Sequence, residues 1–237
     1  MNGREAPGAA AIDPRPQHGD AERDPGPARS SRGRVALLVA LGVALLLAAA
    51  VVVAALRPEA ELPGIVREPA PVATGHTLLD HGAGDPPREV DLVADEGEVL
   101  LVYFGYLSCP DVCPMTMGDI KRAQAELGPA LADRTTVAFV TLDPGRDDGQ
   151  RLRTYLELFF DDRYLGLTAP DEPALVALTD QLGVRFEVEE HEPGDDRYDV
   201  AHSAITYVVD DTGTVVRELP FGTTASDYAR VVRALLP

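Results

Sequence analysis

The chain has 237 residues, 45% of them hydrophobic and 5% aromatic, with a formal net charge of −18. That length allows one ordinary domain plus additional segments, and so acidic a balance excludes a role built on gripping nucleic-acid phosphates. The chain contains 2 cysteines, Cys109 and Cys113, so neither has any other thiol to pair with within the chain.

Residues 1–34 are rich in Pro, Gly, Ala, Arg and Asp and lack the apolar periodicity that buries a core, which predicts a disordered cytoplasmic tail. Residues 35–56 form an uncharged run of Val, Ala, Leu and Gly. At about 1.5 Å per residue such a run crosses a hydrocarbon core of roughly 30 Å, which predicts a single transmembrane anchor. Arg29, Arg32 and Arg34 precede the run, whereas Arg57 alone follows it before Glu59 and Glu61. The positive-inside tendency therefore keeps the N-terminus cytoplasmic and places the remainder on the extracytoplasmic face of the cell membrane. A cleaved leader is the alternative, disfavoured by the length of the run and of the segment before it. Residues 57–75, with Pro58, Pro63, Pro69 and Pro71, read as an extended linker, and a folded domain is expected over 76–237.

Within that domain, 98–104 reads as a buried strand and leads through the cysteine segment into a helix over 114–127, stopped by Gly128-Pro129. A second strand over 135–142 closes at Asp143-Pro144-Gly145. Apolar spacing predicts helices over 148–160 and 171–182, then a strand over 184–188. An acidic loop over 189–199 is expected to be mobile. Strands over 203–209 and 214–219 form a hairpin in which Gly213 supplies the positive φ, and a final helix covers 226–236. This alternation predicts an α/β fold with a mixed central sheet flanked by helices.

The cysteines fall between a strand end and a helix start, where free backbone N–H groups and the helix dipole favour thiolate over thiol. If the turn is helical, a spacing of four brings both sulfurs to one face, within reach of a disulfide or a shared metal ion. A purely structural disulfide would close only a small loop and contribute little through chain entropy. Met115 and Met117 also carry soft sulfur, but Met117 lies one turn beyond Cys113 and is expected in the core.

The run Tyr103-Phe104-Gly105-Tyr106-Leu107-Ser108-Cys109-Pro110-Asp111-Val112-Cys113-Pro114 resembles the signature of the Sco/SenC copper proteins. Two further segments resemble that family in order: Val140-Thr141-Leu142-Asp143-Pro144-Gly145-Arg146-Asp147 and Tyr198-Asp199-Val200-Ala201-His202-Ser203. Ala201 departs from the pattern, which often has Asp before the histidine. The resemblance implies a thioredoxin-like domain and a metal site of Cys109, Cys113 and His202, with Asp143 as a supporting group near the ligands. Two sulfurs and one imidazole form a soft set suited to copper as Cu(I) or Cu(II), whereas a structural zinc site normally takes a fourth protein ligand. The implied function is that of a membrane-anchored copper metallochaperone rather than an enzyme. It would receive copper from an upstream donor and deliver it to the binuclear copper centre of cytochrome c oxidase, on that enzyme's copper-bearing subunit. The alternative is a thiol-disulfide oxidoreductase that uses Cys109 and Cys113 as a redox-active disulfide to reduce the cysteines of that subunit.

Overall fold

The computed structural model describes residues 31–55, 61–82, 84–192 and 194–236. Most of the predicted tail, residues 1–30, the last residue of the predicted anchor, 56, and the first part of the predicted linker, residues 57–60, lie outside the described residues. Two units are present, residues 1–59 and 60–237. The first contains α1 (Ser31–Ala55), whose stretch Gly33–Val53 is long and apolar enough to cross a membrane and buries none of its side chains within the protein. It has no polar face to present to water.

The second unit runs β1 (Leu78–Asp80), β2 (Arg88–Val90), β3 (Val99–Gly105), α2 (Val112–Leu127), α3 (Pro129–Ala132), β4 (Thr135–Thr141), α4 (Gly149–Leu156) and β5 (Tyr164–Thr168). It continues with α5 (Glu172–Leu182), β6 (Phe186–Val188), β7 (Val200–His202), β8 (Ile205–Val209), β9 (Val215–Pro220) and α6 (Ala225–Leu235). Seven strands form one mixed sheet in the order β2-β1-β5-β4-β3-β8-β9, and β6 and β7 form a separate antiparallel pair. The pairs β3–β4 and β4–β5 are parallel, while β8 runs antiparallel to β3.

Strand β3 is central and wholly buried, and its alternation divides the core. Leu100, Val102 and Phe104 face a cluster that includes Leu175, Leu178 and Leu182 of α5. Val99, Leu101 and Tyr103 face the other side, covered by α2, α4 and α6 through Met117, Ile120, Leu152, Leu156 and Tyr228. This is the mixed sheet flanked by helices that the sequence predicts.

The helix expected over 148–160 ends at Leu156, and Phe159 and Phe160 close it through backbone bonds to the carbonyl of Leu156. Strand β5 escapes the sequence reading because its five residues include Gly166 and follow the charged turn Asp161-Asp162-Arg163. Strands β1 and β2 are three residues each, too short for a period to show.

The linker expected through residue 75 requires correction. It is extended from residue 61, as its prolines demand, but it is docked rather than free. Ile65 and Glu218 exchange backbone hydrogen bonds of 2.8 and 2.9 Å, Ala73 donates to Gly213 O at 2.7 Å, and Val215 donates to Pro71 O at 2.8 Å. Ala73 is fully buried, and Arg67 pairs with Glu218 and donates to Leu182 O at 2.7 Å.

Candidate metal centre

Parallel pairing of β3 with β4 and antiparallel pairing with β8 bring three chain segments to one end of the sheet. The cysteine loop leaves the C-terminal end of β3, the 143–147 turn follows β4, and His202 precedes the start of β8. Strand β7 holds His202 in place by pairing it with Phe186, and the next residue clamps that pair, since Ser203 N–H donates to Arg185 O at 2.8 Å.

One ligand atom each from Cys109, Cys113 and His202 lies within 4.8 Å of the others. Cys113 is buried, while Cys109 and His202 are half-buried at the rim of a cavity of about 320 Å³ that also touches Tyr106, Pro110 and Val112. The Cys113 sulfur lies 3.6 Å from His202 Nε2. Nδ1 of the same ring lies 3.2 Å from Ser203 O, which can only accept, so in the neutral ring Nδ1 carries the proton and Nε2 turns a lone pair toward the sulfurs. Tyr103 and Tyr106 both meet the imidazole edge-on at 6.0 Å and fix its plane.

The two thiols are not equivalent. Asp111 precedes α2 without a side-chain cap, and the Cys113 N–H instead donates to Cys109 Sγ at 3.4 Å. The Cys113 thiol beside it donates as well and is the largest cause of an acidity for Cys109 of about 5, against burial that works the other way. The same bond, followed by burial, pushes Cys113 well above the ordinary thiol range. The pair therefore holds one proton at neutral pH, on Cys113, with a thiolate at half-exposed Cys109. Burial, followed by the neighbouring Cys109, pushes the Tyr106 phenol up to about 12. Tyr103 is pushed up by its own burial and donates its hydroxyl to Cys113 Sγ at 3.8 Å.

Gly105 permits this approach. A Cβ there would stand 2.9 Å from Cys113 Sγ and 2.9 Å from the Tyr103 ring. Asp147, buried behind the loop, accepts from Leu107 N–H at 3.0 Å and from the Thr141 hydroxyl at 2.7 Å, and burial pushes its pKa above the ordinary carboxylate range despite those bonds.

The carboxylate of Asp143 accepts from the Tyr198 hydroxyl at 2.8 Å and pairs with Arg146. Among the described residues no hydrogen bond joins it to either sulfur. The 189–199 loop, expected to be mobile, is pinned near its end, where the Tyr198 hydroxyl donates to Asp143 and Arg146 donates to the carbonyls of Asp196 and Tyr198. Met117 is buried in the core, as its spacing predicts, while Met115 is 54% exposed.

Sequence reasoning did not single out Tyr103, Gly105, Tyr106, Arg146, Asp147, Tyr198 or Ser203. Alternation along β3 places Tyr103 on the face covered by α2, α4 and α6, and Arg146 and Asp147 sit within the segment that carries Asp143. Nothing in the spacing pairs Tyr198 with Arg146, because that contact depends on the fold.

The folded part of the chain is similar to known proteins. The protein sco1 of Schizosaccharomyces pombe is 30% identical over 157 residues, which span 66% of this chain and 57% of that one. The chain spans 57% to 66% of the length of the first curated relatives it matches. The solution structure of apo Sco1 from Thermus thermophilus aligns with a TM-score of 0.59 at 31% identity, covering 74% of this chain and 95% of that one. The Bradyrhizobium japonicum ScoI structure, which has copper bound, aligns with a TM-score of 0.58 at 27% identity over 69% of this chain and 99% of that one. The family model described as SCO1/SenC matches residues 67–237, from the docked strap to the C-terminus, and the chain belongs to that family.

Proposed function

We propose that the protein is a membrane-anchored copper metallochaperone that carries copper on Cys109, Cys113 and His202 and passes it to the copper-bearing subunit of cytochrome c oxidase during assembly. The observation that carries this reading is the convergence of two sulfurs and one imidazole nitrogen within 4.8 Å at an accessible rim. Three soft or borderline donors, with no fourth His, Cys, Asp or Glu ligand grouped with them among the described residues, suit copper and leave an approach for an incoming group. The site also fits a cargo that must leave. Cys109 and His202 are reachable from solvent, so a partner's thiolate or imidazole can replace the protein's ligands one at a time, while buried Cys113 is the last to release. An upstream donor would load the site by the reverse exchange. Helix α1 would hold the domain at the extracytoplasmic face, with its N-terminus in the cytoplasm. Copper titration of the soluble domain tests the site. Cys109→Ser, Cys113→Ser and His202→Ala are each expected to weaken binding, and unchanged binding in all three contradicts the reading.

The asymmetry of the thiols favours a second reading, a thiol-disulfide oxidoreductase. The Cys109 thiolate would attack one sulfur of a partner disulfide, form a mixed disulfide and release the partner's first thiolate. Cys113 would then lose its proton and attack Cys109 Sγ, closing the Cys109–Cys113 disulfide and releasing the second thiolate. Two electrons leave the protein pair and reduce the partner. Exchange with a disulfide-bonded oxidase fragment separates the readings: exchange slower than copper transfer leaves the chaperone alone.

A further inference from the structure

The 143–147 turn grips both halves of the site. On the cysteine side, Asp147 takes the Leu107 N–H, two residues before Cys109. On the histidine side, Arg146 does more than pair with Asp143. Its Nη1 donates to the carbonyls of Asp196 at 2.8 Å and Tyr198 at 2.7 Å, and its guanidinium carbon lies 3.4 Å above the centre of the Tyr198 ring. His191 stacks on that ring at 3.7 Å, and the Tyr198 hydroxyl returns to Asp143. The guanidinium also lies 5.7 Å from the centre of the Tyr106 ring, which meets His202 edge-on.

We infer that Arg146 is a positioning residue that sets the placement of His202 relative to the two sulfurs. Tyr198 stands two residues before β7 and four before His202, and buried Val200 anchors the short extended path between them. Fixing the Tyr198 carbonyl and ring therefore fixes the strand that bears the imidazole. A simple ion pair with Asp143 would need only a cation. The observed arrangement uses the planar fork, with one edge on a carboxylate, another on two carbonyls and a face on an aromatic ring, and the Arg146 side chain is only 8% exposed. Lysine can supply the charge but not that combination.

The inference rests on the metal-site reading, and two independent measurements on the full chain separate their fates. Imidazole NMR of the reduced, metal-free protein should show His202 as one Nδ1–H tautomer in the wild type, assigned by its loss in His202→Ala. Arg146→Lys should give mixed tautomers or exchange broadening at His202. It should also weaken copper binding about tenfold or more, as loss of a group that orients a ligand does. In Arg146→Lys/His202→Ala the affinity should fall no further than in His202→Ala, because the arginine acts through the histidine. A wild-type imidazole spectrum and copper affinity in Arg146→Lys, or additive losses in the double variant, would overturn the assignment. Arg146→Gln keeps a planar end group but loses the charge and the fork, should move both readouts the same way, and decides the matter by the same criteria if Arg146→Lys fails to fold. Absence of copper binding in the wild type would overturn the metal reading while the NMR comparison still decides the role of Arg146.

Discussion

A thiolate at Cys109 beside a thiol at Cys113 sets the chemistry of this site. Cys109 has its acidity shifted from 9.0 to about 5, chiefly by the Cys113 thiol. Alkylation of Cys109 in the reduced, metal-free protein should therefore stay near its maximal rate down to about pH 6 and fall around pH 5. In Cys113→Ala the midpoint should rise toward 9, and a wild-type midpoint already near 9 would contradict the pairing. The stability consequence has a definite sign. A depressed folded-state value contributes stability that is fully present above the unfolded value and is lost as pH falls through the folded one. The advantage of the reduced wild type over Cys109→Ser should thus shrink between pH 9 and pH 5. Because ligands must be deprotonated, copper loading at pH 7 should release about one proton, from Cys113. Calorimetry in buffers of different ionisation enthalpy measures that number, and two protons would mean that Cys109 is not ionised beforehand. Gly105→Ala should cost about 1–3 kcal/mol of stability by overpacking, seen in denaturant melts, and should weaken copper binding by displacing Cys113.

At the scale of elements, the strap over residues 61–75 belongs to the domain although it reads as a tether. Its prolines and mixed charge describe the backbone correctly as extended, but the partners that hold it lie on β9, the turn before it and the end of α5, more than 100 residues away in sequence, where no local pattern can reveal them. A soluble fragment beginning at residue 76 should be less stable than one beginning at residue 61, on the order of 2–3 kcal/mol, given four lost backbone bonds and the unpairing of Glu218. Equal denaturation midpoints would mean that the strap contributes nothing. The long periodic elements β3, α2, β4, α5 and α6 were legible because each carries its own apolar pattern and stop signal. The three-residue strands β1, β2 and β7 were not, since their existence is decided by the neighbour each pairs with.

For the whole molecule, the fold unites residues that sequence spacing separates by 89 positions, as with Cys113 and His202. The cysteine pair could be read from the sequence because its strand-to-helix setting is local. His202 could be read only through resemblance, and its orienting partner, the Ser203 carbonyl, emerged only with the fold. Asp143 was legible as a residue of the site region, but its contacts point to Arg146 and Tyr198, a connection made in three dimensions. The copper site proposed at this junction has two sulfur ligands and one imidazole. X-ray absorption of the Cu(I)-loaded domain tests it most directly. Two sulfur scatterers and one nitrogen are expected, with the nitrogen lost in His202→Ala and the sulfurs retained. A shell of nitrogen or oxygen alone, or a nitrogen that persists in His202→Ala, would contradict it.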